Sequence, residues 1–228
     1  MTITIGLLGG TNWPSTISYY ETLNRAAEER TKGEHSATIL LYSIDYNAIK
    51  NPLPEQAHKT YAQLREKIGF FLTKGPDCLI LCSNTLHAAL DQVRDVLKIQ
   101  IPVFHAGMLT AEEAEHQGRK NVLLLGTEFT MTDGFYARYF EDRGIQAIIP
   151  SAEDRATLQN IQSNVARGNK SAAYTAATKQ ILERHSQVDA AILASTELPL
   201  IIGPEDSPLP LINPVQCQCN AAAEFAFG

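Results

Sequence analysis

The sequence predicts an α/β protein of two pseudo-symmetric lobes, each a mostly parallel sheet flanked by helices. Three observations carry this. Short apolar runs alternate with longer amphipathic stretches, the pattern of parallel strands buried on both faces and joined by helical crossovers. The second half echoes the first: IGLLGGT (Ile5–Thr11) resembles VLLLGTEFT (Val122–Thr130), and LILCSNTL (Leu79–Leu86) resembles AILASTEL (Ala191–Leu198). The interval from Gly10 to Cys82 also nearly equals that from Gly126 to Ser195. We read a duplicated unit, with one lobe over residues 1–105 and the other over 106–228, the C-terminal helix able to pack back on the first. Two such lobes facing each other would bring their strand ends to one cleft, where open α/β sheets hold their ligands.

Each element follows from local pattern. Thr2–Leu8 is an apolar strand ending at Gly9-Gly10. Ser15–Arg30 is a helix with Ser15 as N-cap and Ile17, Tyr20, Leu23 and Ala27 at helical spacing. Ala37–Ile44 is a β-branched strand, Glu55–Lys74 a helix stopped by Gly75-Pro76, Cys78–Cys82 an apolar strand, Thr85–Leu97 a helix and Pro102–His105 a short strand. In the second half, strands are expected at Asn121–Leu125, Ile145–Ile149, Ala190–Ala194 and Leu209–Ile212. Helices are expected at Thr130–Arg143, Asp154–Ala166, Ser171–His185 and Cys217–Phe227.

Composition excludes several classes. The 228 residues carry 19 basic and 25 acidic side chains, a net charge of −6, with a pI near 5.5 and mean hydropathy of −0.13. An acidic chain without basic clusters is a poor ligand for nucleic acid or anionic membranes. No apolar run approaches the roughly 18 residues of a membrane span. The opening MTITIGLLGGTNWPST lacks the basic segment and cleavage site of a signal peptide. Four cysteines in a chain of this length point to a reducing, cytoplasmic setting rather than a disulfide framework.

Four strand-to-helix loops hold nearly all the informative polar residues. The first offers Gly9, Gly10, Asn12, Ser15 and Thr16; the second is Cys82-Ser-Asn-Thr-Leu-His87; the third is Gly126-Thr-Glu-Phe-Thr130; the fourth is Ser195-Thr-Glu197. Unpaired N–H groups at helix starts, together with hydroxyls and amides, bind carboxylates or phosphates without a formal positive charge. Cys82 is the most reactive candidate, since a thiol just before a helix N-terminus has its pKa lowered from about 8.5. A cysteine ending an apolar strand is commonly a packing residue; the cluster of Asn84, Thr85 and His87 directly after it sets this one apart.

At these residues the sequence resembles the aspartate/glutamate racemase superfamily, in detail its bacterial amino-acid racemase branch. GLLGGTNWPST (Gly6–Thr16) is similar to the family's Gly-Gly-Met-Ser-Trp-Glu-Ser-Thr opening, and LCSNTLH (Leu81–His87) to its Cys-x-Asn-Thr-x-His motif. LLGTEFTM (Leu124–Met131) is similar to its Leu-Gly-Thr-x-x-Thr-Met motif, and ASTEL (Ala194–Leu198) stands in the place of Gly-Cys-Thr-Glu-Ile. The ordered set spans essentially the whole chain. The resemblance implies a cofactor-independent racemase in which two cysteines on opposite faces of the substrate Cα remove and return the α-proton, while nearby donors stabilise the enolate-like charge. It implies that Cys82 is one acid/base. It assigns Asn84, Thr85, Thr127 and Thr196 to the substrate carboxylate or amine. The residues themselves add Gly10, Asn12 and Ser15 of the opening loop as binding candidates and Glu197 as a supporting residue, while His87 either supports Cys82 or Asn84 or serves the start of the helix. It also suggests a homodimer.

The sequence departs from that pattern where the second cysteine should stand: residue 195 is serine. A serine hydroxyl is too weak an acid to act as an ionised base without an activating partner, and no Ser-His-Asp grouping surrounds it. Ser195 is either natural, leaving a one-thiol enzyme or a binding protein, or a Cys→Ser replacement that traps a ligand. Thr11-Asn12 and Pro14 replace Met-Ser and Glu in the opening loop, and Asn213 replaces an Asp common near the last strand. No Arg lies in Asp45–Glu55 to pair an acidic side chain; Lys50 and Arg167 are the substitutes at hand.

Other chemistries have less support. Cys217 and Cys219 lack a second pair for zinc. Cys78 and Cys82 are roughly 13 Å apart along one strand, beyond disulfide reach. His35, His58, His105, His116 and His185 show no metal-binding spacing, and neither G-x-G-x-x-G nor a P-loop is present. The reading is therefore an amino-acid racemase without cofactor or metal, acting on a small amino acid or dicarboxylate. Its alternatives are a one-thiol decarboxylase or isomerase of the same superfamily, or a non-catalytic amino-acid- or dicarboxylate-binding protein.

Overall fold

The structure, a computed structural model, describes residues 2–45 and 57–228, with the side chains of residues 57–60 and Thr85 outside that description. The chain divides into two compact units, Met1–Ala106 with Gln218–Gly228, and Gly107–Cys217. Among the described residues no helix is long and apolar enough to cross a membrane.

The first unit is built on β1 (Ile5–Gly9), β2 (Ile39–Ser43) and β3 (Cys78–Leu81), all parallel in the order β2-β1-β3. Its helices are α1 (Trp13–Thr31), α2 (Ala57–Leu72) and α3 (Asn84–Leu97). Every residue of β1 and β3 is buried. Leu8, Leu79 and Leu81 pack with Leu64, Ile68 and Phe71 of α2 and with Leu86, Leu90 and Val93 of α3. Burying each such side chain is worth about 1.5–3 kcal/mol, so the sheet is held by helices that its own crossovers supply.

The second unit repeats the plan. Strands β4 (Asn121–Gly126), β5 (Gln146–Ile148), β6 (Ala190–Ala194) and β7 (Leu211–Ile212) form a parallel sheet in the order β5-β4-β6-β7. The helices are α4 (Ala106–His116), α5 (Glu128–Thr132), α6 (Arg138–Glu141), α7 (Ala152–Val165) and α8 (Ala172–Arg184), and α9 (Pro214–Phe227) closes the chain. Leu123, Leu125, Leu158, Leu182 and Leu193 centre the core. In both sheets the chain leaves the central strand to one side and returns to the other. Open α/β sheets hold their ligands at such a strand-order reversal, which falls here at the C-terminal ends of β1 and β3, and of β4 and β6.

Several local expectations change. Asn12, not Ser15, caps α1: its Oδ1 accepts the Ser15 N–H at 3.4 Å. Pro14 sits in the first turn, where its missing N–H is no loss. The helix ends through Lys32 and Gly33, at φ 54° and 82°, with Gly33 N–H donating to the Glu28 carbonyl at 2.8 Å. Pro102–His105 makes only a single parallel bridge, Leu79 to Val103. The expected Thr130–Arg143 helix breaks into α5 and α6 around Gly134, whose φ of 89° no continuous helix accepts. Helix α4 was not expected. Ala106, Thr110, Ala111 and Ala114 are its buried face, and small residues of this kind give little hydrophobic periodicity. The start of the expected Glu55–Lys74 helix, and Lys50, lie outside the described residues.

A buried polar network ties the first unit together. Tyr19 Oη donates to Gln218 Oε1 at 2.6 Å, and Gln218 Nε2 donates to the Phe104 carbonyl at 2.6 Å. His87 Nε2 accepts the Ala106 N–H at 3.2 Å, which leaves Nδ1 as the donor to the Ser83 carbonyl at 2.8 Å. The imidazole is therefore neutral. Burial, then the neighbouring His105, pushes its pKa down to about 3.

Two expected outcomes follow. An unfolded chain protonates His87 near its ordinary 6.5, whereas the folded one holds it neutral to about 3. Its stabilising contribution is thus complete above pH 6.5 and is lost as pH falls through that window. Thermal denaturation across the window should show a falling melting temperature, with a shallower slope in His87→Gln. Gly10 has φ 96°, and a Cβ there would stand 2.2 Å from the Ile44 carbonyl oxygen. Gly10→Ala should cost about 2 kcal/mol or more in urea unfolding; a loss under about 0.5 kcal/mol would refute that strain argument.

Candidate active site

In the first unit, the β1 and β3 ends place their loops side by side. Leu8 pairs with Leu81, and the Cys82 N–H donates to the Leu8 carbonyl at 2.9 Å, so Cys82 continues the ladder beside Gly9. The first loop is held by its own residues. Gly10 N–H donates to Thr16 Oγ1 at 3.0 Å, and Thr16 Oγ1 donates to the Asn12 carbonyl at 3.1 Å. A Cβ on Gly9 would lie 2.5 Å from the Thr16 side chain, so the close turn requires glycine. Asn12, Ser15 and Thr16 are all buried. Asn12 and Thr16 thus have structural duties, whatever they offer a ligand.

Cys82 is fully buried. Its thiol is not acidified by the start of α3: burial pushes its pKa well above the ordinary range. This corrects the expectation of a lowered pKa. Desolvation of a thiolate outweighs a helix-terminal field when no cation accompanies it. Cys78, pushed up to about 11, and Cys217, pushed up to about 12, are also held neutral by burial.

Asn84, the first residue of α3, is the distinctive polar group. It is 4% exposed, and neither side-chain polar atom has a partner among the described residues. Leaving a buried amide unpaired costs about 1–3 kcal/mol, a cost that a bound ligand with complementary groups would remove. His87, three helical positions on, fixes the Ser83 carbonyl between Cys82 and Asn84. Thr85 is in α3, its side chain outside the described residues.

The second unit presents the corresponding loops. Gly126 pairs with Ala194, so Thr127 and Ser195 leave adjacent strand ends. Thr127 caps α5, its Oγ1 accepting the Thr130 N–H at 3.1 Å and lying 2.8 Å from Thr130 Oγ1. Ser195 is 2% exposed and donates to Glu197 Oε2 at 2.5 Å. Thr196 donates to the same oxygen at 3.4 Å. A carboxylate within hydrogen-bond reach of the Ser195 hydroxyl, which the sequence pattern did not disclose, is therefore two residues away.

The sequence reading also missed Gln162. This side chain of α7 is 3% exposed and donates through Nε2 to the Gly126 carbonyl at 2.6 Å, while its Oε1 has no partner among the described residues. The available signal was a glutamine at helical spacing with Leu158, Ile161 and Val165, all buried. Arg167 is exposed. Asn213 Oδ1 accepts the Val215 N–H at 3.0 Å, starting α9. Among the described residues, no group of three or more His, Cys, Asp or Glu stands together as a metal site.

Comparison with known proteins agrees with the two-sheet α/β fold. The sequence profile of the Asp/Glu/Hydantoin racemase family matches residues 8–222. A Yersinia pestis structure described as a candidate Asp/Glu racemase is 29% identical, with a TM-score of 0.86 over 99% of this chain and 100% of that one. An aspartate racemase homologue from Pyrococcus horikoshii OT3 is 26% identical, with a TM-score of 0.84 and full coverage of both chains (100% each). The Picrophilus torridus aspartate racemase shares the fold at 22% identity, with a TM-score of 0.80 over 98% of this chain and 94% of that one. A profile match over nearly the whole chain, on two parallel sheets flanked by helices, makes this chain a member of the Asp/Glu/hydantoin racemase family.

Proposed function

We propose that the protein is a cofactor-independent amino-acid racemase in which Cys82 exchanges the substrate α-proton. The observation that carries the reading is the buried Asn84 amide, without a partner among the described residues, two residues after the Cys82 thiol. An amide offers both a donor and an acceptor, which suits the carboxylate and ammonium that flank an amino acid's α-carbon. Thr85, Thr127, Thr196, Gly10, Asn12 and Ser15 are proposed to complete the binding loops, with His87 and Glu197 supporting them.

Breaking the Cα–H bond leaves its electron pair on carbon, conjugated with the carboxylate. Donors at the carboxylate oxygens stabilise that charge as it develops. Burial keeps the Cys82 thiol protonated at neutral pH, so in the resting protein it is a proton donor. It acts as a base in the minor fraction that is ionised, and again once that proton has been delivered. Inversion requires a second proton carrier on the opposite face, at residue 195 in this reading. The mildly acidic chain and the family resemblance support a small amino-acid substrate and a cytoplasmic homodimer without nucleic-acid or membrane partners.

The test is α-proton exchange in D2O, followed by NMR, with each enantiomer of the chiral proteinogenic amino acids. The protein should wash deuterium into at least one enantiomer. Cys82→Ser should reduce that exchange by about 100-fold or more. Asn84→Ala should weaken substrate binding about 10-fold, the equivalent of one hydrogen-bonding group. If ligands raise the melting temperature yet no α-proton exchanges in the protein or in Ser195→Cys, a binding protein replaces the racemase reading. Release of CO2 would instead mark a decarboxylase.

A further inference from the structure

We infer that Ser195 and Glu197 together form the second proton carrier: the Ser195 hydroxyl receives the substrate α-proton as it passes its own proton to the Glu197 carboxylate. The inference rests on the racemase reading above and supplies the group that reading lacks.

A serine needs an adjacent base to take part in proton transfer at neutral pH. The turn after β6 provides one. Leu198 N–H donates to the Ser195 carbonyl at 3.2 Å, closing a tight turn that folds residue 197 back over residue 195. The resulting contact between Ser195 Oγ and Glu197 Oε2 is 2.5 Å, the length of a strong hydroxyl–carboxylate bond. Thr196 Oγ1, at 3.4 Å, is a second donor on the same oxygen. The one hydroxyl proton of Ser195 is thereby aimed at Glu197, which leaves the oxygen's lone pairs available for an incoming proton. Ser195 is 2% exposed, so bulk water is a poor competitor. Its position after β6 corresponds to that of Cys82 after β3.

The step balances without a further reactant. The Cα–H bond breaks and its electron pair stays on carbon. The proton forms a new bond to Ser195 Oγ, while the former Ser195 O–H bond breaks and its proton joins Glu197. The Cys82 thiol then protonates carbon from the other face, becoming a thiolate. In the reverse direction Cys82 abstracts, Ser195 donates, and Glu197 reprotonates Ser195. Carboxylates serve as bases toward protons alpha to a carbonyl in other enzymes. A thiol on one side and a hydroxyl hydrogen-bonded to a carboxylate on the other are the proton donor and proton acceptor that one inversion requires.

The decisive variants are Glu197→Gln, Glu197→Asp, Ser195→Ala and Ser195→Cys. Each is assayed for racemisation by chiral chromatography and for α-proton exchange in D2O, with both enantiomers of the same amino acids. Glutamine can still accept the Ser195 hydrogen bond but cannot take a proton. Glu197→Gln should lower racemisation by about 100-fold or more, with Cys82-side exchange of one enantiomer persisting. Ser195→Ala should behave likewise, and Glu197→Asp should recover part of the activity. Ser195→Cys should racemise with little dependence on residue 197. Racemisation by Glu197→Gln within about threefold of the parent overturns the relay. So does a parent that only exchanges while Ser195→Cys racemises, an outcome that leaves the racemase reading intact. Loss of exchange together with racemisation in Glu197→Gln, unrecovered in Glu197→Asp, marks a structural role and also overturns it. Absence of exchange in both the parent and Ser195→Cys overturns the racemase reading itself.

Discussion

The central strands of both sheets are sealed on both faces, and the rest of the architecture depends on that constraint. All of β1, β3 and β6 is buried, as is β4 after its first residue. Their backbone groups are satisfied by parallel pairing, and their side chains by helices on either side. Such strands have no place for a polar side chain, because a buried polar group without a partner is expensive. Polar chemistry is displaced to the strand ends, where the chain turns and ladder pairing stops. Cys82, Thr127 and Ser195 all stand at that boundary.

At the boundary, most polar groups are paired locally. Thr16 holds Gly10, Asn12 caps α1, Thr127 caps α5, and Gln162 holds the Gly126 carbonyl. These contacts make the loops rigid enough to present their remaining groups accurately. Against that background the unpaired amide of Asn84 is an exception rather than a loose end. Among the described residues of the first unit, it is the side chain whose buried polar atoms lack a partner, and it stands two residues after a buried thiol. Stability is sacrificed there, the behaviour expected of a place that binds something.

The two units solve the same geometric problem with different chemistry. After β3 the chain enters α3 directly, and burial keeps the Cys82 thiol neutral. After β6 it makes a tight turn that returns a carboxylate to a hydroxyl. A thiol can carry a proton as a single group, because it is a far stronger acid than an alcohol. An alcohol requires a companion, and in the proposed relay the carboxylate returned by the turn after β6 is that companion. His87 illustrates the opposite use of a titratable group. Both ring nitrogens are committed to backbone atoms, so it steadies the loop between Cys82 and Asn84 and stays neutral.

Much was legible in the sequence. Alternating apolar runs and helical stretches determined the α/β class, and the internal echoes located all four strand-end loops. Both are one-dimensional signals, because burial on both faces demands uninterrupted apolar residues and parallel pairing demands crossovers. Helix α4 and the break at Gly134 were not legible, since small buried residues and a positive φ leave little periodic trace. The acidity of Cys82, the pairing of Ser195 with Glu197 and the isolation of Asn84 were decided only in three dimensions. Desolvation, the direction of a hydroxyl and the lack of a partner depend on which atoms surround a group, and neighbours in space are not neighbours along the chain.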